Sequence, residues 1–171
     1  MSRVSVRAAI VSYLQGANIT GLSSVKPFPA KFTPEGEFYQ GEDPGTEAGA
    51  IIWVHIEQAR ETRIALGGAH NGRKAVDYTV VLDCILRSGS PKSEDVGAAN
   101  DAFLDSLESA IRADRQAGTA GNPIFQWGEG SLTGGPDIET VAGFPRTLNG
   151  SQTVTQVYSS VRLTVLEILN N

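Results

Sequence analysis

One cysteine, one methionine and two histidines are all that this 171-residue chain offers of the side chains most used in redox and metal chemistry. Cys84 has no second cysteine to pair with, which excludes an intramolecular disulfide; it falls on the apolar side of an alternating stretch, as a small buried hydrophobe would. His55 and His70 stand alone, and with a single thiol they cannot build a four-ligand structural zinc site, so no metal is expected. A basic surplus is missing as well. With 14 Lys and Arg against 19 Asp and Glu, the net charge of −5 argues against a sequence-specific or general nucleic-acid binder. No apolar run approaches the roughly 18 residues that cross a bilayer. "MSRVSVRAAI" lacks the apolar core of a secretion signal, so no membrane role is expected.

Catalytic constellations are equally scarce. There is no G-x-S-x-G elbow. Asp77 and Asp83 share one strand, but at strand rise they stand about 20 Å apart, too far for the carboxylate pair of a glycosidase. "LGGAHNGRK", residues 66–74, matches the first half of a phosphate-binding G-x-x-x-x-G-K-[ST] loop, yet Arg73 stands at the lysine position and Ala75 and Val76 supply no hydroxyl. Its context also differs. A phosphate loop joins a strand to a helix, whereas this stretch lies between "TRIAL" and the alternating "AVDYTVVLDCIL". Asn71 and Gly72 suit the positive φ angles of a hairpin turn, and the context favours that turn. No catalytic residue and no cofactor-binding residue is expected.

What is present is a globular composition, 40% hydrophobic and 19% charged, of a length that supports one domain. Val6, Ala9, Ile10, Tyr13 and Leu14 have helical spacing; Ser2 can cap this helix and Gly16 can end it in a left-handed conformation. A short strand at "LSSVKP" precedes residues 28–48, an extended arm with prolines 29, 34 and 44 and scattered aromatics. Loops of this length are usually functional or disordered. The arm is expected to order on a partner or to fold back over its own sheet. "AIIWVHIE" predicts a strand, "QARE" a turn, "TRIAL" a second strand, and the long strand ending near Arg87 completes an antiparallel meander. In it Val76, Tyr78, Val80, Leu82, Cys84 and Leu86 alternate with Asp77, Thr79 and Asp83.

The period then changes. Val96, Ala99, Phe103, Leu107, Ala110 and Ile111 place one face of a helix over 93–116 in the core, with Asp101, Asp105 and Glu108 outward, Ser93 as cap and Gly118 as stop. Residues 117–152 are glycine-rich, with "IFQWGEG" and "IETVAGF" as short strands. Trp127 in this loop region reads as an interface anchor. The β-branched "TVTQVYSSVRLTVLEIL" should be a strand that pairs with the meander, its Val157, Val161, Leu163 and Val165 against the helices. The expected class is α+β: one domain, 1–171, with a mixed, mostly antiparallel sheet flanked by an N-terminal and a long central helix.

Charge comes in blocks: residues 1–31 carry +4, 32–61 carry −6, 62–92 carry +3 and 93–116 carry −4. Alternation of this kind suits either solvated surface or complementary patches between copies of one chain.

In order, the "VRAAIVSYLQ" helix, "FTPEGEFYQGEDPG", "ETRIALGGAHNGRKAVDYTVVL", the "DAFLDSLESAIRADRQAG" helix and "IFQWGEG" resemble the tail terminator, or tail completion, proteins of long non-contractile-tailed phages. The resemblance implies a virion protein without enzyme activity or cofactor. It would assemble in the host cytoplasm as a homohexameric ring and sit at the head-proximal end of the tail. The ring caps the tube made by the tail tube protein, then meets a head-completion or neck protein, and phage DNA passes through it. Interface candidates on this reading are Phe32, Phe38 and Tyr39 in the arm, Arg63, His70, Asn71, Arg73 and Lys74 around the hairpin tip, and Trp127. The alternatives are another neck component, a stopper or adaptor, or a small hydrolase with an unrecognised serine or aspartate site.

Overall fold

The structure, a computed structural model, describes residues 3–28, 49–63, 73–90, 92–117, 125–128, 138–148 and 154–170. Helix α1 (Arg3–Gly16) and helix α2 (Ser93–Ala113) lie on one face of a seven-stranded sheet. Its strands are β1 (Leu22–Lys26), β2 (Gly49–Arg63), β3 (Arg73–Ser88), β4 (Phe125–Trp127), β5 (Ile138–Val141), β6 (Arg146–Leu148) and β7 (Val154–Asn170). The order is β1-β2-β3-β7, with β4, β5 and β6 end to end along the outer edge of β7. Strand β1 is parallel to β2 and every other pairing is antiparallel. This is the expected α+β class with a mixed sheet.

Period two in the long strands builds the core. Val76, Tyr78, Val80, Leu82, Cys84 and Leu86 of β3 turn toward the helices, beside Ile52, Val54 and Ile56 of β2 and Val157, Val161, Leu163 and Val165 of β7. Against them α1 sets Val6, Ile10 and Leu14, one turn apart, and α2 sets Val96, Phe103, Leu104, Leu107 and Ile111. Tyr13 Oη ties the helices by donating to the Ala110 carbonyl at 2.7 Å.

Several expectations are corrected. "QARE" is no turn: β2 runs through it, and Glu57 is accommodated as a bulge, since Ile56 pairs with Val80 and Gln58 with Thr79. The extra residue absorbs the change of phase that the sequence suggested was a chain reversal. The β2–β3 connection, 64–72, which holds His70 and Asn71, lies outside the described residues; the flanking Arg63↔Lys74 pairing is antiparallel. Gly16 keeps a negative φ, and Gly21 (φ 74) makes the turn into β1 instead. Ser93 does not cap α2. Lys92 occupies the cap position with no side-chain bond, and Glu94 and Asp95 support the first turn through the helix dipole. Ser2 and Gly118 fall outside the described residues. In α2, Ala99 is exposed and Asn100 takes its place in the interior. Asn100 Oδ1 accepts a hydrogen bond from Ser159 Oγ at 3.1 Å, the pairing that lets a buried amide displace an alanine.

Candidate functional site

Cross-strand register arranges the sheet face turned away from the helices into rows. One row is Ile51, Ile85 and Tyr158; the next is Trp53, Asp83, Ser160 and Val141; the next is His55, Val81, Arg162 and Glu139. Beyond the bulge come Gln58, Thr79 and Thr164, then Arg60, Asp77, Leu166 and Gln126. At the other end Arg87, Gln156 and Arg146 form a row. Among the described residues no helix or further strand lies over this far face.

Its chemistry changes along the strands. At the end where β5 and β6 border β7, Val141 is 58%, Tyr158 45% and Phe144 85% exposed. The β5–β6 connection crosses close to β7 at Gly143, where any Cβ would collide with the Tyr158 carbonyl oxygen. Phe144 therefore follows a backbone pressed against the sheet edge. A hollow of about 360 Å³ at this end is lined by Trp53, Asp83, Cys84, Val141, Tyr158, Ser159 and Ser160. Gln156 Nε2 donates to Tyr158 Oη at 2.9 Å and holds the ring in place.

The middle of the face is charged. The Glu57 bulge reaches across β3 to pair with Arg162, whose guanidinium is held further in its charged form by that bond. Burial raises the carboxyl of Asp83, and the charge of His55 opposes the rise. Asp77 is 7% exposed and neither carboxylate oxygen has a hydrogen-bond partner among the described residues; burial raises its pKa, with Arg60 opposing.

His55, Asp83 and Ser160 supply the residue types of a hydrolytic triad, but in the wrong order. Asp83 is on β3, between the strands of the other two. His55 and Ser160 are thus separated by two strand spacings, about 10 Å, beyond the reach a general base needs. Burial pushes the Cys84 thiol far up from its ordinary range, the opposite of what a nucleophile requires. Among the described residues no three His, Cys, Asp or Glu side chains gather into a metal-ligating group, and no helix is long and apolar enough to cross a membrane.

The interface candidates read from sequence fall only partly within the described residues. Phe32, Phe38 and Tyr39 lie outside the described residues, as do His70 and Asn71. Arg63 is exposed; Lys74 Nζ is engaged by Glu61 of its own hairpin at 2.7 Å; Arg73 is described only as the first residue of β3. Trp127 is a correction. It is fully buried, packed edge to face on Tyr13 at 5.4 Å, with Nε1 donating to the Asp114 carbonyl at 2.6 Å. The glycine beside it explains this: Gly128 (φ 65) turns the chain so that β4 delivers the indole to the corner between α1 and α2. Glu108, expected in solvent, is half-buried and accepts from Thr140 Oγ1 at 2.6 Å; that bond above all lowers its pKa, helped by Arg112.

Sequence reasoning passed over Val141, Phe144, Arg146 and Tyr158. Phe144 sits between Gly143 and Pro145, a breaker signal that contradicts strand alternation. Comparison with protein-family models and with curated proteins found no match.

Proposed function

We propose that this chain is a tail terminator: a structural virion protein that forms a homohexameric ring on the completed tail tube, ends its polymerisation and presents the surface to which the head is joined. The reading draws on the ordered resemblance along the chain. It is carried structurally by one observation, that the two outer surfaces of the unit differ. A closed ring joins one patch of each copy to a different patch of the next, so it needs two unlike surfaces on one chain. Here one side is the far face of the sheet, with an aromatic end; the other is the helix layer, whose α2 is acidic on its outside.

On this reading the protein has no catalytic task, its partners are copies of itself, the tail tube protein and a head-completion or neck protein, and it sits at the head-proximal end of the tail, where DNA passes through its channel. Native mass spectrometry of the purified chain tests the ring. A single closed hexamer is expected. A monomer at every concentration would remove the ring and the proposal with it, and a dimer would point to a two-fold contact that cannot cap a tube.

A further inference from the structure

The far face and the outer face of α2 are on opposite sides of the two-layer unit, and their chemistry is complementary. Exposed Val141 and Tyr158 sit at one end of the far face, exposed Phe144 follows in the β5–β6 connection at the same edge, and exposed Arg146 and half-buried Arg87 stand in the adjoining row. The outside of α2 exposes Glu94, Asp95, Asp101 and Asp105 among Ala98, Ala99 and Ala102, with no basic residue before Arg112. The large apolar side chains lack a cover among the described residues of their own chain. The alanines are small enough to let aromatic rings approach the helix closely.

We propose that the outer face of α2 in one copy docks on the aromatic, basic end of the far face in the next. The inference rests on the ring reading and specifies its subunit contact. A second copy is the occupant because the arginine row beside the aromatic end, Arg87 and Arg146, and the carboxylates of α2 carry opposite charge on the same chain, with Asp83 the carboxylate that lines the hollow at that end. Pairing either patch with itself would oppose arginines to arginines or four carboxylates to four carboxylates, a like-charge arrangement that complementary pairing removes. Patches on opposite layers make the contact head to tail, and a turn of about 60° per copy closes six of them. Aromatic side chains set in a shallow hollow and rimmed by charge are the usual anchors of such contacts.

Two variants test it. Val141→Ser with Phe144→Ser removes the apolar end of the far face; Asp101→Lys with Asp105→Lys reverses α2. All four positions are exposed, so each variant should keep its fold, as read by circular dichroism. Native mass spectrometry should find each variant monomeric alone. An equimolar mixture should give a dimer and no ring, because only one of the two possible contacts is left intact. A hexamer from either variant alone, or no dimer in the mixture, would overturn the pairing while wild-type rings keep the ring reading. A monomeric wild type would overturn both.

Discussion

Asp77 is the residue whose energetics are least like those of its neighbours. It faces away from the helices, is almost fully buried and has no hydrogen-bond partner among the described residues, while the charge of Arg60 across the strand opposes the effect of burial. A carboxyl whose pKa rises on folding binds more protons in the folded state. Its penalty is therefore absent below the ordinary carboxylate range, near pH 4, and fully present once pH exceeds the raised value. Asp77→Asn is expected to stabilise the protein at neutral pH by about 1 kcal/mol, with the gain vanishing on acidification. Urea midpoints at pH 7 and pH 4 measure it, and a loss at pH 7 would mean the charge is satisfied. Trp127 makes the opposite case. Trp127→Ala should cost about 3 to 5 kcal/mol, as expected for a large side chain that closes the corner between two helices. Nothing in "IFQWGEG" tells an anchor for a partner from an anchor for the chain's own helices, because that depends on where Gly128 sends the backbone.

At the scale of elements, α2 and the long strands are the parts that reasoning from pattern reads well. Phe103, Leu107 and Ile111 recur at one-turn spacing and all are buried, and β3 alternates as written. Phe103→Ala and Leu107→Ala should each lower stability by about 2 to 5 kcal/mol while Asp105→Ala stays nearly silent, ranked by thermal or denaturant midpoints. Where pattern reading failed, the deciding contact was distant in sequence. Asn100 is buried because Ser159 meets it, Glu108 turns inward because Thr140 does, and "QARE" stays in the ladder because β3 tolerates a bulge opposite it. The candidate surface was less legible still. Strands β4, β5 and β6 are three and four residues long and are assembled only by β7, so local propensity has little to act on. Gly143→Ala is expected to push the β5–β6 connection away from Tyr158 and lower stability measurably, whereas Gly16→Ala, with open space at its Cβ and a negative φ, should be neutral or stabilising. Equal effects from the two glycines would contradict the close approach.

At the scale of the whole molecule, two helices cover one face of the sheet among the described residues, and the outside of α2 differs in chemistry from the far face of the sheet. Such a unit is suited to being repeated head to tail, and closure of the repeat distinguishes a ring from a fibre. The proposed electrostatic pairing between copies would add a salt dependence. Raising ionic strength from about 0.01 M to 1 M shortens the screening length from about 30 Å to 3 Å, so ring formation should weaken with salt to the extent that charge guides it. On the proposed reading, the task of the ring is to stop a tube. The most direct measurement is electron microscopy of tail tubes growing with and without the purified protein. On the proposed reading a single ring forms at one end of each tube and growth stops, with the Val141→Ser, Phe144→Ser variant leaving the ends bare. Tubes that lengthen unchanged, with no ring bound at either end, would contradict it.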